Sequence, residues 1–311
     1  MTKRLWVALS LTPAALLGCH SSSDGPPQDQ PPSDRPSAVT KVASGGFTSP
    51  RDAVASPDGK TFYFTATDPD ANPAVFSTGA TAGSTANVLA AGTPLEVPMG
   101  LVMSCDGGTL FVADVGGETG GVYAIPAAGG APTALSTTGL VRPGGLAMGP
   151  DCKTLFATGH TAEGAAALFA VSIDGGVTRA VFTGDPLIAP TGLHVDAQGT
   201  AWVMDHLAVG ASGEGVLFAI PADGSKATEV VSDLRMGAPG GVSLTSGGGI
   251  AVMPTRDADG HARLTSVEIA TGERQELATP DITDPAGLRT ARNAAVFAVV
   301  DSEGGAIYRA E

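Results

Sequence analysis

From residue 38 onward the chain alternates short apolar runs with turns rich in Gly, Asp and Pro, and no long stretch carries the 3.6-residue period of an amphipathic helix. The runs recur. Pro50, Pro98, Pro143, Pro190, Pro239 and Pro285 open six matching segments, spaced 48, 45, 47, 49 and 46 residues apart. A fixed period of this size signals a repeat architecture. Two residues after the proline stands Gly100, Gly145, Gly192, Gly241 or Gly287; only the first segment departs, with Asp52. A strand is predicted next, as in Leu101-Val102-Met103, then an Asp/Gly turn such as Ser56-Pro57-Asp58-Gly59. A second strand follows at 61–64, 109–112 and 154–157, a third at 121–125, 167–171 and 216–220, and a fourth at 177–182. Short loops with Gly or Asp-Gly suit hairpins because they accept positive φ.

Four antiparallel strands per unit of about 47 residues make the blade of a β-propeller. The segments therefore predict an all-β fold over 38–311, a six-bladed β-propeller of four-stranded antiparallel blades. Radial packing covers both faces of each blade, which accounts for the unbroken apolar strands. The sixth unit reaches a third strand at Ala306-Ile307-Tyr308 and lacks a fourth before Glu311. Residues 38–44, Ala-Val-Thr-Lys-Val-Ala-Ser, resemble the internal fourth strand at 227–232, so this N-terminal strand is predicted to close the ring against the last blade. The proline, the glycine, the apolar strand and Ala113-Asp114 resemble the six-bladed superfamily that holds the NHL-repeat, TolB-like and gluconolactonase-like propellers. That resemblance speaks for fold and little for activity. Gluconolactonase-like chemistry would imply a metal-binding Glu before the first blade and an Asn and an Asp in later loops. Here those positions read Thr48-Ser49-Pro50, Pro143-Gly144-Gly145, Pro190-Thr191-Gly192 and Pro239-Gly240-Gly241, with neither Asn nor Glu.

Ahead of the repeats, Lys3 and Arg4 precede a 13-residue apolar run, Leu5 to Leu17. A membrane span needs about 20 residues, so the run has the length of a signal-peptide core. Leu16-Leu17-Gly18-Cys19 resembles a bacterial lipobox. The resemblance implies cleavage before Cys19, diacylglycerol on its thiol and acylation of the new amine. Two or more acyl chains give stable anchoring to a lipid bilayer. The expected location is the bacterial cell envelope, and His20 in place of an aspartate, by resemblance to the sorting signals of enteric lipoproteins, implies the outer membrane. Residues 1–18 are thus expected to be a signal peptide. Residues 19–37, rich in Ser, Pro and Asp, form a tether that cannot bury an apolar face and is expected to be disordered.

Charge narrows the partners. The chain carries −14 at neutral pH, and loss of Lys3 and Arg4 makes this −16 (−14 − 2). Phosphate backbones repel such a protein, which excludes nucleic acid; cationic partners or divalent metals suit it. With Cys19 lipidated, Cys105 and Cys152 remain, in first-to-second-strand turns of adjacent units. An exported protein keeps disulfides, so these two are expected to pair, the alternative being two free turn thiols.

Candidate ligand residues fall on the face formed by loops before first strands and after second strands. The first group carries Arg51, Asp52, Met99, Arg142, Thr191 and Asp284. The second carries Asp68-Pro69-Asp70, Asp114, His160, Asp205-His206, Asp257-Ala258-Asp259 and Asp301. The second strands end in Ala66, Asp114, Gly159, Asp205, Pro254 and Asp301. Three carboxylates round a channel mouth suit a hard cation such as Ca²⁺; alternatively, each caps its own loop. Asp68 and Asp257 begin incomplete calcium-loop patterns. His160 and His206 suit acid–base work near neutral pH, whereas His194, inside a first strand, reads as core. No serine elbow or paired-His metal motif accompanies them. Two functions are expected to compete: a membrane-anchored binding or scaffold propeller that docks a protein, peptide or glycan, and a metal-assisted, lactonase-like hydrolase using the loop-face carboxylates.

Overall fold

A computed structural model of the chain describes residues 35–175, 178–236 and 240–311. The lipobox at Cys19 and the tether as far as residue 34 lie outside the described residues. The described residues form six four-stranded antiparallel sheets and no helix. β1 (Val39–Ser44) belongs to the last sheet. Blade one is β2 (Ala53–Ala55), β3 (Thr61–Thr67), β4 (Pro73–Gly79) and β5 (Asn87–Ala91). Blade two is β6 (Pro98–Met103), β7 (Thr109–Asp114), β8 (Gly121–Pro126) and β9 (Thr133–Leu135). Blade three is β10 (Leu146–Met148), β11 (Thr154–His160), β12 (Ala166–Ser172) and β13 (Thr178–Thr183). Blade four is β14 (Pro190–Val195), β15 (Ala201–Val209), β16 (Glu214–Ile220) and β17 (Thr228–Val231). Blade five is β18 (Ser243–Leu244), β19 (Ile250–Arg256), β20 (Ala262–Glu268) and β21 (Arg274–Ala278). Blade six is β22 (Pro285–Thr290), β23 (Phe297–Asp301), β24 (Ala306–Ala310) and β1.

This is the predicted six-bladed β-propeller, and 38–44 closes it as expected. Val39 pairs with Ala310 and Ser44 with Ala306, across a register shift between Lys41 and Ala43. The amides of Ser37 and Ala38 both donate to the Glu311 carbonyl, at 2.7 and 3.0 Å. Closure is driven by burial as well as by the ladder. Val42 and Ala43 enter a core shared by blades six and one, with Ile307, Phe62 and Phe64. Phe47, just beyond β1, packs its ring 4.7 Å from that of Phe64.

There is no single central core. Each of the six apolar clusters sits between two neighbouring blades; one joins Val54 and Val75 of blade one to Leu101, Leu110 and Ile125 of blade two. Pairing blade against blade also explains the repeat glycine. Innermost strands approach so closely that the Gly100 amide donates to the Gly144 carbonyl of the next blade at 3.0 Å. A Cβ on Gly100 would collide with that carbonyl oxygen, and one on Gly145 with the carbonyl oxygen of Thr191.

Cys105 and Cys152 are disulfide-bonded, with Cα atoms 5.7 Å apart. The bridge joins the turns after β6 and β10, on the face away from the candidate ligand loops, as expected. Replacing both by Ser is expected to cost about 2–4 kcal/mol of stability, the usual range for a native bridge, with the two cysteines 47 residues apart. Urea unfolding at unchanged m-value measures this; a loss below about 0.5 kcal/mol would mean that blade packing alone holds these turns.

Candidate functional site

The loop-face aspartates have a shared geometry and a local task. Asp114, Asp205 and Asp301 stand opposite Pro98, Pro190 and Pro285 in register. All three are buried, at 2%, 0% and 1% exposure. Asp114 accepts the amides of Glu96, Val97 and Gly116 at 2.7–2.9 Å. Asp205 accepts those of Ile188, Ala189, Leu207 and Ala208. Asp301 accepts those of Thr283, Asp284 and Gly304. Each carboxylate therefore clasps the loop leading into its own blade to the loop leaving the second strand.

The structure does not gather the three around an ion. Among the described residues the acidic and histidine groups close enough to share one are Asp257, Asp259 and His261. There Asp257 is already ion-paired to Arg263 and accepts the amides of Asp259 and His261. Asp68 likewise holds its own turn through the Asp70 and Asn72 amides.

The remaining loop-face candidates are scattered. Asp284 pairs with Arg256 at 2.6 Å. Arg51 lays its guanidinium on the Met99 sulfur at 3.7 Å. His160 is fixed through its backbone to Val141, and its Nδ1 is buried without a partner. His206 Nδ1 lies 3.0 Å from the Ala189 carbonyl, which only accepts, so Nδ1 carries the proton. Beside His206 the loop face carries an apolar ridge. Ile188, Leu207 and Val209 are 50%, 50% and 69% exposed. They are held together because Asp205 binds the amides of both Ile188 and Leu207, and because β15 runs on to Val209, the longest strand described.

Asp52 does not reach the loop-face surface. It occupies the position where the other repeats have glycine, buried near the axis. Its Oδ1 accepts the Ala53 amide at 3.0 Å and its Oδ2 the Leu101 amide of blade two at 3.1 Å. Arg289 of blade six donates Nε and Nη2 to the same Oδ2, at 3.1 and 2.9 Å. The third arm, Nη1, reaches the Leu193 carbonyl of blade four at 2.7 Å. One ion pair thus ties four blades together. Burial pushes the Asp52 carboxyl above its ordinary range, against the pull of Arg289 and of the two amides.

Beyond Arg289 the channel widens into a cavity of about 520 Å³ on the face opposite the loop-face candidates. Its wall includes the fourth residue after each repeat proline: Val54, Val102, Ala147, His194, Ser243 and Arg289. Blades one to three contribute apolar side chains there and blades four to six polar ones. Sequence reasoning passed over this ring, although counting four from each proline exposes it. His194, read as core, instead lines this wall, its Nδ1 3.4 Å from Ser243 Oγ, and Ser243 accepts the Thr290 amide at 3.0 Å. Burial holds the His194 imidazole down at about 4, with Arg289 and Arg292 adding to the effect and Asp196 opposing it. It is neutral at pH 7.

No protein-family model matches the sequence, and no curated protein matches it. Solved structures do. The chain is similar to a chain of a nidogen/laminin complex: 19% identity over 78% of this chain and 85% of that one, TM-score 0.61. It is similar to a putative TolB from Agrobacterium tumefaciens: 16% identity, 84% and 90% coverage, TM-score 0.53. It is similar to an oligogalacturonate lyase from Vibrio parahaemolyticus: 13% identity, 88% and 93% coverage, TM-score 0.58. Such identities establish the propeller fold and leave function to the side chains.

Two outcomes are expected. Arg289→Met strands Asp52 and should cost about 3–5 kcal/mol, whereas Asp52→Gly with Arg289→Met, which restores the repeat glycine, should recover most of it in the same unfolding assay. A single-variant loss under 1 kcal/mol on the order-of-magnitude scale for buried pairs would contradict this role. The second concerns pH. His194 is faced by Ser243, Arg289, Arg292 and Asp196. Its folded value lies below the unfolded one, so its contribution is intact above pH 6.5 and is lost as pH falls toward about 4. The full interval corresponds to about 3 kcal/mol, reduced by the ring's partial exposure to the cavity. His194→Gln should flatten the stability profile across that window; an unchanged slope would assign it to other groups.

Proposed function

We propose that this chain is a lipid-anchored binding propeller of the bacterial cell envelope that docks a basic protein segment on the loop face of blade four. The observation that carries this reading is the exposed ridge of Ile188, Leu207 and Val209. Solvent exposure of three clustered aliphatic side chains is unfavourable unless a partner covers them, and such clusters mark protein contacts. The sign of the partner follows from the surroundings. No Lys or Arg occurs between Arg179 and Lys226. Asp185 precedes Ile188 in the same loop, and Glu214, exposed, pairs with Val209 across the hairpin. An acidic rim around an apolar centre favours a cationic segment with aliphatic or aromatic anchors.

The lipobox supports the anchored half of the reading, since one face of a tethered ring stays free to bind. The similarity to a chain of a nidogen/laminin complex lends it a parallel, since that chain is part of a protein–protein complex. The metal-assisted alternative loses support from the geometry, because Asp114, Asp205 and Asp301 already spend their oxygens on backbone amides.

A photo-crosslinking amino acid at position 207 or 209, in cells making the full chain, tests the reading. One discrete adduct is expected from these positions and none from position 88, an exposed Val away from the ridge. Leu207→Asp with Val209→Asp should abolish the adduct at unchanged melting temperature, high salt should weaken it, and Cys19→Ser should move the protein out of the membrane fraction. Equal adducts from position 88, or persistence in the double variant, would overturn docking at the ridge; membrane retention of Cys19→Ser would overturn the anchor.

A further inference from the structure

We propose that the channel cavity is a second binding site, for a small amphipathic carboxylate that pairs with Arg292 and lays its apolar body against blades one to three. The cavity of about 520 Å³ lies within the roughly 300–1,000 Å³ typical of small-molecule sites. Its two halves differ in chemistry. Blades one to three line it with Val54, Val102, Met103, Ala147 and Met148; blades four to six add Leu244 and Ala291 but supply all of its charged and titratable groups, His194, Asp196, Arg289 and Arg292.

Arg292 is the distinctive group. Arg235, Arg256, Arg263, Arg289 and Arg309 are each ion-paired. Arg292 makes no ion pair among the described residues and stands exposed at the cavity mouth. The chain carries −14 overall, so an unclaimed guanidinium at this cavity is not a consequence of basic composition. Asp196, also at the mouth, does not claim it. Its Oδ1 accepts the Gln198 and Thr200 amides and its Oδ2 the Trp202 indole N–H. The nearby Arg289 is neutralised by Asp52. A guanidinium fork matches a carboxylate in two parallel hydrogen bonds. A ligand with only a polar head would make no contact with the apolar side of the cavity, and a purely apolar one would leave Arg292 unmatched.

The mouth is laced for such a role. The disulfide joins the turns of blades two and three beside Ser104 and Gly149. The Asn293 amide donates to the Pro57 carbonyl at 2.9 Å and joins those of blades six and one. A rim fixed on two sides keeps the site formed without its ligand, which lowers the cost of binding.

Titration calorimetry on the full chain in lipid nanodiscs, with empty nanodiscs as control, tests the site. The probes are 4-phenylbutyrate, 4-phenylbutanol and 4-phenylbutylamine. The carboxylate is expected to bind, the alcohol at least tenfold more weakly, and the amine not at all. Arg292→Ala should cost tenfold or more and Arg292→Lys less; Arg292 is exposed, so both variants fold. Ala147→Phe, which fills the apolar wall, should abolish binding, and the carboxylate should shift the His194 imidazole resonances only when Ala147 is intact. Equal affinity for alcohol and carboxylate, an unchanged affinity in Arg292→Ala, or no heat up to millimolar probe would overturn the site. Docking at Leu207 and Val209 lies on the other face and is unaffected by these variants, so the two readings fail separately.

Discussion

The ring is keyed by one buried charge pair. Five of the six steps between innermost strands are made backbone to backbone, over a glycine that leaves no room for a Cβ. At the remaining step Asp52 replaces the glycine, and its carboxylate fills the gap by accepting the Leu101 amide. A lone carboxylate there would be costly. Arg289 meets it from blade six and spends its last arm on the Leu193 carbonyl of blade four. Charge burial is a weak source of net stability, yet it is strict about register. Blades one, two, four and six must be seated for every donor and acceptor in this group to be satisfied.

That pair also lies between two surfaces of different character. Toward the loop face Asp114, Asp205 and Asp301 are occupied in holding loops. Toward the turn face lies a cavity whose charged and titratable groups all come from blades four to six. The two faces therefore offer different chemistry: a protruding apolar ridge with an acidic rim on one, and a recessed pocket with an unpaired guanidinium on the other. Large partners suit the first and small ones the second.

What was legible in the sequence followed from local rules repeated six times. Prolines at a near-constant spacing located the blades, and the missing fourth strand after Tyr308 pointed to residues 38–44. Cys105 and Cys152 were legible because equivalent turns of adjacent blades are neighbours. The aspartates ending alternate second strands were found, and loop capping was one of the two tasks their position offered; what the sequence did not show is which amides they take, because these arrive from residues 17 or 18 positions earlier in the chain. Arg289 was missed for a related reason. Its partners lie 237 and 96 residues away, and no motif announces an arginine whose five counterparts are uncharged. His194 was assigned to the core because a first strand is apolar in most blades; only the alignment of all six shows that its position faces the channel.

The shared construction of blade six has a consequence for biogenesis. The strand that completes this sheet, β1, precedes the other five blades in the chain and can pair only once its partner β24, which follows them, is present. Until then Val42, Ala43 and Phe47 have no blade-six surface to cover, and blades one to five form an open arc with unprotected edges. The ring therefore closes only when the two ends of the propeller sequence meet, and no shorter run of blades can close it in this way.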